Sequence, residues 1–102
     1  MADQAGWVEA ATASTGVATA TRTAETGKQH IVFSVDASAT PAAQVLLLQI
    51  KDGTTVVWEG YVLNQRDVNF PRGLSITRGN ACSAVFAAGS SVTKVNLHGI
   101  TK

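Results

Sequence analysis

Charge is scarce in this chain. Only 15% of its 102 residues are Asp, Glu, Lys or Arg, against about a quarter in an average soluble domain, and the formal net charge is +1. The eight basic residues, Arg22, Lys28, Lys51, Arg66, Arg72, Arg78, Lys94 and Lys102, are scattered, which excludes the clustered phosphate contacts of a nucleic-acid-binding surface. Cys82 is the single cysteine, so neither an internal disulfide nor a cysteine-rich zinc site is open to the chain. No apolar run approaches the ~20 residues of a membrane span. The opening MADQAGWVEA carries Asp3 and no basic stretch ahead of an apolar one, unlike a signal peptide. The expectation is a soluble protein synthesised in the cytoplasm.

Reactive constellations are equally sparse. Cys82, His98 and Asp67 supply the residue types of a nucleophilic triad, but without local spacing only geometry could join them, and Cys82 within ACSAVF reads as a small buried thiol. His30 and His98 could share a metal only with further ligands, and none is suitably spaced. Glu59 and Asp67 read as solvated acids rather than a glycosidase pair. Gly53, Gly60 and Gly73 stand singly, so no glycine-rich phosphate loop is present. The expectation is a non-enzyme with no cofactor and no metal.

What the chain does contain is β pattern. Gln44 to Leu63, QVLLLQIKDGTTVVWEGYVL, is two apolar runs joined across Asp52-Gly53, a strong hairpin signal. Leu46, Leu48 and Ile50 alternate on one face, and Val56, Trp58 and Val62 on the other run. A three-residue loop, Asp52 to Thr54, with a glycine bulge would pair Ile50 with Val56 and Leu48 with Trp58, placing Trp58 in the core. Tyr61 then faces outward.

Lys28 to Ala37 alternates as a half-buried strand, with Ile31, Phe33, Val35 and Ala37 on one face. Ser38 to Ala43, containing Pro41, reads as a loop, and Asn64 to Asp67 as a polar turn. Phe70 to Leu74 reads as an irregular crossing before a short strand, Leu74 to Thr77. Cys82, Ala84 and Phe86 share a face of the next strand, a turn follows at Ala88 to Ser91, and Val95 and Leu97 share a face of the last. Six or seven strands without a helical period predict an all-β fold, a small antiparallel sandwich of jelly-roll or immunoglobulin-like topology.

Residues 1–27 stand apart from this 28–102 domain. Ala10 to Gly27 is almost wholly Ala, Thr and Ser, too small to order itself alone. It reads either as a loose tail or as an extended N-terminal arm lying on this domain or on a neighbouring subunit, with Trp7 as its anchor. A short helix over residues 4–13 is the competing reading of its start.

The second half carries a resemblance. Asp52-Gly53-Thr54-Thr55 through Trp58-Glu59, then Phe70-Pro71-Arg72-Gly73-Leu74, Ala87-Ala88-Gly89 and Val95-Asn96-Leu97-His98-Gly99-Ile100-Thr101 resemble small β-sandwich virion proteins of tailed bacteriophages, of the capsid decoration or cement type. The resemblance covers about fifty residues with short, turn-like motifs. It implies a structural virion protein that binds the major capsid protein as a homo-oligomer, most simply a trimer, and stabilises the shell by bridging its subunits. The expected contact residues are Trp7, Val17, Thr19 and Thr21, with Tyr61 and Arg72 secondary. The alternatives are a tail or fibre component, or a carbohydrate-binding module using Tyr61 as a stacking platform.

Overall fold

The computed structural model describes residues 6–14, 16–40, 45–88 and 92–102. Eight strands form the fold: β1 (Gly6–Ser14), β2 (Ala18–Arg22), β3 (His30–Thr40), β4 (Leu46–Asp52), β5 (Thr55–Val62), β6 (Gln65–Ser75), β7 (Cys82–Phe86) and β8 (Val92–Thr101). They pair antiparallel in two four-stranded sheets, β1-β8-β3-β6 and β2-β7-β4-β5. The chain passes between the sheets at each connection except the β4-β5 hairpin, the arrangement of a jelly roll. The all-β sandwich expected from the alternation is therefore present, with the first of the two candidate topologies.

The N-terminal segment is ordered against this same domain. β1 pairs with β8 from Gly6↔Ile100 to Ser14↔Val92, and β2 pairs with β7 from Ala18↔Phe86 to Arg22↔Cys82. The division into a 1–27 arm and a 28–102 domain is accordingly corrected: β1 and β2 are edge strands of the two sheets, with residues 1–5 outside the described part. Small residues suit this position. Ala18 and Ala20 face inward, where Ala18 sits across from Phe86, while β-branched Thr19 and Thr21 face outward, so volume alternates across the pair. The helix considered for residues 4–13 is replaced by β1 over its described part.

The inner faces follow the alternation with two instructive exceptions. Leu46, Leu48, Ile50, Val62, Cys82, Ala84, Phe86, Val95 and Leu97 are buried as expected, each large side chain contributing about 1.5–3 kcal/mol. In β3 the register shifts between Val32 and Ser34. This bulge at Phe33 reverses the phase, so His30 and Val32 point inward with Val35 and Ala37, while Ile31 and Phe33 face out. In the hairpin the turn is two residues, Gly53-Thr54, between Asp52 and Thr55, and Gly53 adopts φ 61°, a conformation that favours glycine. The extra residue lies inside the strand at Val57, because Lys51 pairs with Val56 and Ile50 with Trp58. Trp58 thus keeps its inward direction but is only half-buried, and Val56 turns to the solvent face.

β6 runs from Gln65 to Ser75, but its pairing with β3 jumps from Ser34↔Asn69 to Val32↔Leu74, so Phe70 to Gly73 leave the ladder, with Gly73 at φ 79°, where the irregular crossing was expected. It is an edge strand, where proline costs no ladder hydrogen bond. Of the loop expected over Ser38 to Ala43, Ser38 to Thr40 instead continue β3, while residues 41–43, and residues 89–91 of the later turn, lie outside the described residues.

One side of the sandwich is closed by Trp7. Its indole lies over Gly99, where an added Cβ would stand 2.6 Å from the ring and collide with the Ile31 carbonyl oxygen. Gly99→Ala should therefore lower the unfolding free energy by about 2 kcal/mol, measured by urea denaturation. Unchanged stability would mean that the indole does not occupy this space.

Candidate interaction face

The structure separates the residues that composition alone could have joined. Cys82 is on the inner face of one sheet, whereas His98 and Asp67 are at outward positions of the other, so the three do not form a triad. His30 points into the core from β3 and His98 out from β8, so they share no metal. Glu59 and Asp67 are on the outer faces of different sheets.

Each polar cluster has a local structural account. His30 is 1% exposed. Its Nε2 lies 2.8 Å from the Thr23 carbonyl oxygen, which can only accept, so Nε2 donates. Nδ1 lies 2.7 Å from Thr101 Oγ1, and that oxygen accepts from Trp7 Nε1 at 2.9 Å. In the neutral imidazole the hydroxyl proton then points to Nδ1, and both ring nitrogens are engaged. Arg22 covers the other side of Trp7 at 5.3 Å from the ring centroid and pairs with Glu9 at 3.0 Å. Trp7, expected to grip a partner, is 8% exposed and belongs to the protein's own core.

On the outer face of the β1-β8-β3-β6 sheet, Asp36 accepts from Asn96 Nδ2 at 2.7 Å, and His98 Nε2 lies 3.3 Å from its other oxygen. Ser34, Ser38, Lys94, Gln65, Asp67 and Asn69 continue this polar surface, with Val8, Phe33 and Val92 exposed among them.

The opposite outer face is different. Register and pleat place Thr19 and Thr21, Ser83 and Val85, Leu47, Gln49 and Lys51, and Val56, Glu59 and Tyr61 outward on the β2-β7-β4-β5 sheet. Val17, Ala87, Val45 and Leu63 extend it at the strand ends. Tyr61 is 67% exposed, and Val17, Val45 and Leu63 are each more than half exposed. Gln49 Nε2 donates to Glu59 Oε1 at 3.0 Å one row from Tyr61. A shallow open depression is lined by Val56, Val57, Trp58 and Glu59. Nearby, Arg66 lies over the Trp58 ring at 5.5 Å and Phe70 meets it edge-on.

Of the expected contact residues, Val17, Thr19, Thr21 and Tyr61 thus share this face, at its two opposite edge strands. Arg72 is exposed on β6 of the other sheet, and Trp7 is interior. Leu47, Val45 and Leu63 were missed. The signal for Val45 and Leu47 was the unbroken Val45-Leu46-Leu47-Leu48 run, and for Leu63 the Tyr61-Val62-Leu63 run, since a strand buried on one face alternates and one covered on both does not.

No protein-family model and no curated protein sequence matches the chain. Among solved structures, it is similar to the insecticidal delta-endotoxin Cry8Ea1 from Bacillus thuringiensis, at 14% identity and TM-score 0.46 over 88% of this chain. The match spans 18% of the endotoxin. It is also similar to a CBM4 protein solved for its structure and function, at 15% identity and TM-score 0.41, covering 94% of this chain and 76% of that one.

Two titratable groups differ from their ordinary behaviour. Burial pushes the Cys82 thiol up to about 12, with the Arg22 backbone hydrogen bond and charge opposing it. Cys82 should resist alkylation at pH 8 in the folded protein and react once denatured, as mass spectrometry would read; rapid labelling of the native protein would contradict the burial. Burial also tends to raise Asp52, but hydrogen bonds from Asn80 Nδ2 and from the Thr77 hydroxyl and amide outweigh it and hold the carboxyl below 3.8. A pKa lower in the folded than in the unfolded state stabilises above the unfolded value and ceases to do so as pH falls through the folded one. Asp52→Asn should cost about 1 kcal/mol at pH 7. The difference from the unmutated protein should shrink below pH 3.8 in thermal melts, and a pH-independent difference would remove this carboxylate from the account.

Proposed function

We propose that this protein is a non-enzymatic structural component of a virion, of the capsid-decoration type, acting as a symmetric homo-oligomer that bridges major capsid protein subunits. The observation that carries an assembly role is the apolar cluster at one end of the outer face of the β2-β7-β4-β5 sheet, where Val17, Val45, Leu47, Tyr61 and Leu63 adjoin. Contiguous exposed apolar surface of this kind marks an interaction site. The virion setting rests on the resemblance of residues 52–101 to phage proteins. The action is passive: surface buried between copies and against the shell adds contact energy that opposes expansion.

Mass spectrometry of purified particles from the phage or prophage carrying this reading frame tests the setting. The chain should appear in fixed stoichiometry with the major shell protein. Its absence from intact particles overturns the virion role.

One arrangement favours a second reading, sugar binding. Tyr61 presents an exposed ring beside the Gln49–Glu59 pair, an aromatic platform next to hydrogen-bonding groups. A glycan-array signal lost in Tyr61→Ala would select this reading over assembly.

A further inference from the structure

We infer that one end of the sandwich is a tip that inserts into a phospholipid bilayer, with Val17, Val45, Leu63 and Val92 entering its apolar boundary and Tyr61, Lys94 and Arg66 lying among the headgroups. This goes beyond the assembly reading, because it gives the apolar cluster a lipid occupant, and it does not depend on the virion setting.

The two ends of the molecule differ in charge. Ser14 and Thr40 both register with Val92, Ala18 with Phe86 and Leu46 with Val62, so the β1-β2, β3-β4, β5-β6 and β7-β8 connections all turn at one end. The stretches that turn there, residues 10–21, 37–50, 60–65 and 79–93, contain no Asp, Glu, Lys or Arg. The connections at the opposite end contain or adjoin Glu25, Lys28, Asp52 and Arg78. Val17, Val45, Leu63 and Val92 are exposed at the uncharged end, together with Tyr61.

Depth from this end sorts the side chains as a membrane interface does. At ~3.3 Å per residue along a strand, Tyr61 stands about 7 Å behind Leu63, and Lys94 about 7 Å behind Val92. Arg66 donates to the Tyr61 carbonyl oxygen at 3.1 Å, which holds its guanidinium at the depth of that residue. Among the described residues these are the first charges met from the tip, and both are cations. The acids follow two residues further in, Glu59 behind Tyr61 and the Asp36-Asp67 pair behind Lys94. An apolar end, then an amphipathic ring, then cations at the level of lipid phosphates is the order in which such residues partition at a bilayer surface.

The footprint favours lipid over a protein. The Cα trace measures 44 × 23 × 19 Å, and strands of ten and eleven residues run along its long dimension. A flat contact across the remaining cross-section covers roughly 400 Å², short of the roughly 600 Å² per partner at the low end of specific protein interfaces. A bilayer demands neither that area nor a fixed register, because binding scales with the apolar surface inserted. Insertion through a few side chains gives weak, reversible attachment.

Flotation of the full chain with an excess of extruded phosphatidylcholine vesicles tests this, with circular dichroism confirming that each variant folds. The unmutated protein should float with these neutral vesicles, and high salt should not release it. Val45→Asp and Leu63→Asp should each weaken binding about tenfold, and Tyr61→Ala severalfold. Phosphatidylglycerol in the vesicles should strengthen binding, and Lys94→Glu should reduce that increment with little change on neutral vesicles.

No flotation with either vesicle overturns the inference. Binding that needs anionic lipid, is lost in salt and survives Leu63→Asp also overturns it, since scattered basic residues would give that result. Self-association that Leu63→Asp abolishes, without any flotation, assigns the cluster to a protein; it overturns the inference and leaves the assembly reading intact. Flotation by a chain absent from intact particles overturns the virion role and leaves this inference standing.

Discussion

The indole of Trp7 can lie inside the sandwich only where position 99 carries no side chain, and much of the fold's closure depends on that vacancy. With Gly99 beneath it, Trp7 reaches the Thr101 hydroxyl, which joins the His30 ring, which in turn holds the Thr23 carbonyl. Four residues from β1, β8, β3 and the segment after β2 are thereby joined in one hydrogen-bonded chain. A buried histidine and tryptophan are tolerated because each polar atom has a partner. Arg22 then covers the indole from the second sheet and is itself held by Glu9, so the same tryptophan connects the two layers.

The two outer faces set the molecule's relations with its surroundings. One presents amides, hydroxyls and a carboxylate–imidazole contact, a surface that water satisfies. The other gathers Tyr61, Leu47, Val17, Val45 and Leu63 at one end and presents threonines, Ser83, Lys51 and the Gln49–Glu59 pair over the rest. A contiguous apolar cluster distinguishes a working surface from an inert one more clearly than any residue alone, because single exposed apolar side chains are ordinary.

How much of this was legible depends on whether one strand or several had to be known. Cys82, Ala84 and Phe86, like Val95 and Leu97, could be assigned to the core because strict alternation is a local property. Ile31 and Phe33 took the wrong face because a bulge adds a residue without leaving a mark in composition. The hairpin misled in the same way: the extra residue sits at Val57, while the turn itself is short. Trp7 was legible as an anchor but not as an internal one, since its partners are Gly99 and Thr101, at the far end of the chain. The apolar end of that outer face was written in the Val45–Leu48 run, yet only the register shows which other residues line up with it.

The pairing of β1 with β8 also governs the order in which the fold can be completed. The contact between Trp7 and Thr101 spans 94 positions, so during synthesis the first strand emerges long before β8, with which it pairs. Non-local pairing of this kind makes folding slow. Until the last strand arrives, β1 has no place in a sheet and the core beneath Trp7 remains open, while the leucine-rich β4 is already exposed. Completion therefore waits until β8 has emerged, and the interval before it is when unwanted association of nascent chains is most favoured.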